Sequence, residues 1–241
     1  PAPGFSEYKA ALEASRIPVR DIYYRPREDE HGKPYFEVPY LALETFAAEL
    51  KGQDGRIIVF LGNPNNPDGT LQDNEYSMRS LVNEFDNIIV VHSFTKFYAV
   101  PGLRIGAAFS NPLIIEQLNS FIPTWSVNTL AQSYTEAALN DVEYVKRTKQ
   151  VLHEEQLFMH NSLDTIDGIT VYPPSANFML FHIEQEGITA ESINEALKKY
   201  NMIVRNCDSY MGLNNQWVRV AIKDHDTNVK LVEKLTDILK V

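Results

Sequence analysis

Cysteine is almost absent from this sequence, Cys207 being the single one. One thiol forms no internal disulfide and no cysteine metal site, and its solitude fits a reducing, cytoplasmic setting. No run of about 18 apolar residues occurs, so no membrane-spanning helix is expected. Pro1 to Ser6 lack the basic start and apolar stretch of a signal peptide. No initiator methionine opens the chain, which therefore reads as a piece of a longer one. Repeats and low-complexity segments are missing too. The six histidines (His31, His92, His153, His160, His182, His225) show no ligand spacing such as HExxH, so no metal site is expected. Positive charge is in deficit, with 22 Lys and Arg against 32 Asp and Glu and a net charge of −10. That field opposes nucleic acid and anionic lipid as partners, yet it leaves room for a locally basic pocket.

What is there suffices for a substantial core: 241 residues, 44% of them hydrophobic. Helical and strand patterns alternate, which predicts an α/β fold: a mostly parallel sheet with flanking helices, then a smaller α+β C-terminal domain. Ser6 is placed to cap a helix bearing Tyr8, Ala11 and Leu12, and Leu43, Phe46, Ala47 and Leu50 repeat the helical spacing. Residues 57–61 (IIVFL) and 88–91 (IIVV) are short, wholly apolar runs that break into NPNNPDG and HSFTK, the pattern of buried parallel strands. Asn111 and Pro112 suit the N-cap and first turn of a helix. Helices are also expected over residues 129–139 and 141–163. Beyond these, residues 169–172, 178–183, 202–205 and 217–222 read as strands, with a Thr189-capped helix and a final helix through Leu231, Leu235 and Ile238. The division is placed near residue 145, giving domains of residues 1–145 and 146–241.

Ligands of parallel α/β sheets bind beyond the carboxyl ends of the strands. The two polar loops, NPNNPDG and HSFTK, are therefore the candidate site. Lys96 lies in the second. A lysine on such a lip forms a Schiff base if part of its amine is neutral. Ser93 and Thr95, two apart in an extended segment, present hydroxyls on one side. Arg104 follows in GLRIG, where its planar fork suits a phosphate and Gly102 permits a close turn. By themselves these residues also admit a plainer reading, a surface lysine and an arginine in a salt bridge.

The spacing narrows the choice. SFTKFYAVPGLRIG is similar to the cofactor-attachment signature of the class I/II aminotransferase family, fold type I pyridoxal-phosphate enzymes: Ser-x-Thr-Lys, five residues, then Gly-x-Arg-hydrophobic-Gly. NPNNPDG resembles that family's Asn-Asn-Pro-Thr-Gly loop, with Asp68 where threonine is usual. The similarity runs from PAPGFSEYKAAL to RVAIK. It implies pyridoxal 5′-phosphate as cofactor, with Lys96 forming the Schiff base and carrying protons. It further implies that Ser93, Thr95 and Arg104 hold the cofactor phosphate, that Asn66 bonds the ring's phenolic oxygen, and that Phe5 (or Tyr8) stacks on the ring. A contact at the helix entry is the other reading of Phe5. Arg205 and Arg219 sit in apolar strands, where an unpaired cation is costly. A structural salt bridge would answer that cost. By resemblance Arg219 grips a substrate carboxylate, Arg205 belongs to members with phosphorylated substrates, and Asn177 lies near the substrate. A homodimer is implied too.

Within the family, TKFYAVPGLR and VRNCDSYMGLNNQWVRVAIK resemble the threonine-phosphate decarboxylases more than the histidinol-phosphate aminotransferases, which usually carry an Ala-Gly-rich stretch by the lysine. The implied partner is a small phosphorylated amino acid. A non-catalytic binding module on the same fold is the alternative of another class. One departure bears on this. The family's Asp-Glu-Ala-Tyr/Phe segment, whose aspartate pairs with the pyridine nitrogen, is absent, and GTLQDNEYS stands there instead. Asp68, Asp73 and Asp86 do not match it. Either the site is degenerate, or a segment is missing with its flanks joined. The second reading is preferred, since losing a central strand would strand backbone groups in the sheet, and it predicts a break near Leu71–Asp73.

Overall fold

The computed structural model describes residues 2–51, 57–69 and 80–239. In chain order the elements are α1 (Ser6–Ala14), β1 (Arg25–Glu28), β2 (Pro34–Glu37), α2 (Tyr40–Glu49), β3 (Val90–Ser93), β4 (Gly106–Phe109), α3 (Pro112–Phe121) and α4 (Thr129–Asn140). They continue with α5 (Val142–Leu163), β5 (Ile169–Val171), β6 (Phe178–Ile183), α6 (Ala190–Lys198), β7 (Arg205–Asn206), β8 (Trp217–Ala221) and α7 (His225–Leu239). Two compact units form, Pro1–Gln72 with Gln150–Val241, and Asp73–Lys149. This differs from a single division near residue 145, because the N-terminal segment groups with the C-terminal one. The position Leu71–Asp73, where a break was expected, lies outside the described residues.

The first unit is built on a four-stranded antiparallel sheet of order β5-β6-β8-β7. Strand β6 (FMLFHI) is apolar nearly throughout because both its faces are covered. Met179, Phe181 and Ile183 join Val218 and Val220 of β8 in one core with Met159 and Leu163 of α5, Ile193 and Leu197 of α6, and Leu231, Leu235 and Leu239 of α7. Each such side chain contributes about 1.5–3 kcal/mol when fully buried. On the opposite face Leu180 and Trp217 pack with Tyr172, Cys207, Tyr210 and, from the N-terminal segment, Tyr24 and Phe36. The Phe36 ring lies 5.0 Å from Tyr172 and 5.6 Å from Trp217. Period-2 alternation along β8 therefore sends Val218 and Val220 to the helices, and Trp217 and Arg219 to the other side.

Capping follows the sequence in two places. Asn111 accepts from Ile114 N at 2.9 Å with Pro112 in the first turn of α3. Thr189 and Ser192 form a capping box on α6. At α1 the N-cap is Phe5, not Ser6, and no side chain caps it.

Two strand expectations need correction. Residues 57–61 form no strand, and their five apolar side chains, Ile57, Ile58, Val59, Phe60 and Leu61, are 37–65% exposed. The run at 88–91 becomes β3, which pairs antiparallel with β4 and is mostly exposed. Among the described residues each sheet is antiparallel. An apolar run states a demand for burial, but partners on both sides decide whether it becomes a central parallel strand, and among the described residues β3 has β4 alone.

Candidate active site

The second unit carries the lysine loop. The β3–β4 ladder sets Ser93 opposite Gly106, and residues 94–105 bulge between them. A Cβ on Gly106 would meet His92 O at 2.6 Å, so this glycine is what lets the strands approach. Gly102, expected to serve the turn, has open space around it and no left-handed φ. Ser93 Oγ and Thr95 Oγ1 stand 2.9 Å apart, with the hydroxyls together as their spacing predicted. Thr95 is buried. Lys96 is exposed within the turn that follows. Among the described residues its ammonium has no ion pair. Arg104 adopts a left-handed backbone (φ 50°) and donates from Nη1 to Pro101 O at 3.0 Å, with no carboxylate described beside it. The expected alternative of an arginine salt bridge is thus not seen among the described residues.

Two tyrosines missed by sequence reading hold this loop. Tyr144 donates to Phe97 O at 2.9 Å and Tyr134 to Tyr98 O at 3.2 Å. Both acceptors lie just beyond Lys96, so the hydroxyls fix the backbone that carries it. No motif marks them, because each sits on a helix remote in sequence from the loop.

The first unit carries the other candidates. The NPNNPDG loop is locked from inside: Asn65, 3% exposed, donates to Pro3 O at 2.9 Å and to the buried carboxylate of Asp68. Asn66 then turns its amide oxygen toward the sheet. It accepts from Tyr210 Oη at 3.0 Å and, more closely, from Arg219 Nη1. Arg219 Nη1 also donates to Tyr210 Oη at 3.2 Å, closing a triangle, and its guanidinium lies 4.9 Å from the Phe178 ring. Tyr210 was not foreseen. It lies in the β7–β8 connection, where nothing in the spacing marks it. Asn177 is exposed at the bend before Phe178 and its carbonyl accepts from Ile222 N. Phe5 is 46% exposed and meets Tyr8 edge-on at 5.4 Å, a contact at the helix entry.

Arg205 and Arg219 are direct cross-strand partners on β7 and β8. Like charges opposite each other destabilise a ladder. Neither has an ion pair among the described residues; Arg205 donates to Ser209 Oγ at 3.0 Å instead. Their charge also bears on Cys207, whose thiol burial pushes up to about 11 while the two guanidinium groups pull it down. Burial prevails.

The model of the family described as aminotransferase class I and II matches residues 72–235. The chain belongs to the class I and II aminotransferase family. An adenosylcobalamin biosynthesis bifunctional protein, CobDQ, of Leptospira interrogans is 28% identical over 98% of this chain and 29% of its own length. A histidinol-phosphate aminotransferase of Methanosphaera stadtmanae is 30% identical over 76% of this chain and 56% of its own. The chain thus spans from under a third to little more than half of these relatives. The histidinol-phosphate aminotransferase structure from Clostridium acetobutylicum matches 99% of the chain and 76% of its own with a TM-score of 0.84 at 23% identity, a likeness of fold. As a class I and II aminotransferase chain, this one departs from expectation in its exposed β3 and in residues 57–61.

Proposed function

We propose that the protein of which this chain is part is a pyridoxal-phosphate-dependent carboxy-lyase, converting L-threonine O-3-phosphate to (R)-1-amino-2-propanol O-2-phosphate in cobalamin biosynthesis. The observation that carries this is the cross-strand pair Arg205–Arg219, two cations on one face without a described carboxylate partner. A small molecule bearing both a carboxylate and a phosphate would relieve their repulsion.

Each unit, taken by itself, offers donors that suit the cofactor. Ser93 and Thr95 offer adjacent hydroxyls. Arg104 has N–H groups beyond the one bonded to Pro101 O. The bonds described for Asn66 use its oxygen, leaving its NH2 to donate to a phenolic oxygen. When bound, pyridoxal phosphate supplies an electron sink for the bond broken at the substrate's α-carbon. The chain does the rest. Lys96 would offer the amine for the cofactor aldehyde and carry the proton to the α-carbon; Ser93, Thr95 and Arg104 would hold the cofactor phosphate. Arg219 holds the substrate carboxylate and Arg205 its phosphate. Between them they orient the α-carbon, and orientation decides whether carbon dioxide or a proton departs. Asn177 and Phe5 complete the proposed surroundings of substrate and ring, and a homodimer belongs to the same proposal.

Histidinol-phosphate aminotransferase is the second reading, favoured by the Methanosphaera relative. Histidinol phosphate bears one anionic group, which would leave one of the paired arginines unanswered by that substrate. The test uses full-length protein with pyridoxal phosphate. Borohydride reduction and peptide mapping should label Lys96, and phosphothreonine should release carbon dioxide with the cofactor recovered as pyridoxal. Label on another residue overturns the site, pyridoxamine formation overturns the decarboxylase, and failure to bind the cofactor leaves a binding module.

A further inference from the structure

Arg219 uses its nitrogens unevenly. Nη1 has two N–H groups, and both are engaged, one by Asn66 Oδ1 and one by Tyr210 Oη. The face of the guanidinium lies over Phe178. Among the described residues, Nε and Nη2 have no partner. These two form the side-on edge whose parallel N–H groups match a carboxylate.

Tyr210 is suited to aim that edge. It is 9% exposed, and its ring is packed in a cluster with Cys207, Trp217 and Leu180. Its backbone N–H donates to Cys207 O at 3.0 Å, and its carbonyl accepts from Leu213 N at 3.0 Å. Ring and backbone are therefore both fixed, so the hydroxyl is a stationary anchor. A hydroxyl has one proton and two lone pairs. Here the proton goes to Asn66 Oδ1 and a lone pair takes Arg219 Nη1. An arginine has several rotatable bonds, and one anchor at Nη1 would leave its plane free to swing. A second anchor removes that freedom before a ligand arrives.

We infer that Tyr210 is a positioning residue, whose hydroxyl sets the plane of Arg219 so that the Nε–Nη2 edge meets a ligand carboxylate. The inference rests on the proposed reading of Arg219 as the carboxylate-binding group and adds the residue that orients it. The ring has a separate neighbour, the Arg205 guanidinium carbon, 5.9 Å from its centroid. Removing the hydroxyl while keeping the ring leaves that contact in place, so the effect should fall on the carboxylate and spare the phosphate.

The test is calorimetric binding to the cofactor-free full-length chain, where no turnover occurs. The probes are L-threonine O-3-phosphate and its carboxylate-free counterpart 1-amino-2-propanol O-2-phosphate. Tyr210→Phe should weaken the first about three- to tenfold, the range set by one hydrogen bond of ordinary net strength. It should leave the second unchanged and the thermal midpoint within a few degrees. In an Arg219→Met background the same substitution should have no further effect. Equal weakening of both ligands, or an effect that persists without Arg219, overturns the inference. So does a Tyr210→Phe chain that binds as the wild type while Arg219→Met alone weakens the amino acid. If wild type does not prefer the carboxylate-bearing probe, or Arg219→Met leaves that preference intact, the proposed role of Arg219 falls first and takes this one with it.

Discussion

Gly106 and Gly102 lie four residues apart in one motif, yet the structure asks different things of them. A methyl group on Gly106 would stand 2.6 Å from His92 O, a backbone atom that moves only if β3 and β4 separate. Gly106→Ala should therefore destabilise the hairpin by about 1–3 kcal/mol and displace Ser93, its ladder partner. Gly102→Ala meets open space and should change little. Urea midpoints of the two variants check this, and equal midpoints would refute it. Cys207 offers a second residue-scale prediction. Its thiol is fully buried and pushed up to about 11 from 9.0 by that burial. Iodoacetamide at pH 8 should leave it unmodified until denaturant is added. The folded state keeps this proton where the unfolded state releases it. The stability so held is full below pH 9 and drains away as pH rises through about 11. Cys207→Ser should flatten the pH dependence of stability in that window. Tyr172, raised from 10.0 to about 12 by its own burial, should add an alkaline slope of its own from pH 10 to about 12, so the flattening by Cys207→Ser is clearest between pH 9 and 10.

At the scale of elements, the residues that were legible are those whose local chemistry is self-sufficient. Asn111 before Pro112 and Thr189 before an amphipathic stretch each carry their own hydrogen-bond partner within three residues, and both cap as read. Thr189→Ala removes the bond accepted from Ser192 N and should cost about 1 kcal/mol, read as a lower urea midpoint. An unchanged midpoint would mean that burial of Ile193 and Leu197 alone holds α6. Strands of the C-terminal sheet were legible for a related reason: β6 and β8 have neighbours close in sequence, and their apolar side chains find helices there. Residues 57–61 were not, since their pattern speaks of burial without saying against what. The same limit hid Tyr210. Its ring reads as an ordinary core aromatic, and its hydroxyl acquires meaning only when Asn66, 144 residues earlier, is folded against it. The paired hydroxyls of Ser93 and Thr95, two residues apart, needed no such long-range contact to be foreseen.

Across the whole molecule, apolar burial is distributed very unequally. Both apolar clusters among the described residues belong to the unit Pro1–Gln72 with Gln150–Val241. In Asp73–Lys149 the buried apolar residues described are Phe94 and Ala131, while Val91, Leu113, Phe121, Trp125, Leu130 and Val142 are 70–93% exposed. Backbone hydrogen bonds alone add little net stability, because water competes for the same groups. The β3–β4 ladder is hydrogen-bonded but thinly covered, whereas β6 and β8 lie between helices on one face and an aromatic cluster on the other. Cooperative opening should therefore begin at β3–β4. Native-state hydrogen exchange on this 241-residue chain should show the paired amides of β6 and β8 exchanging about 100-fold or more slowly than those of β3 and β4. Equal protection in the two ladders would mean that the second unit is held by something other than its own core, and the lysine loop would then be a rigid feature of this chain. Unequal protection would put Lys96 and its hydroxyl neighbours on the least stable part of the molecule, the part from which ligand-gripping loops are commonly drawn.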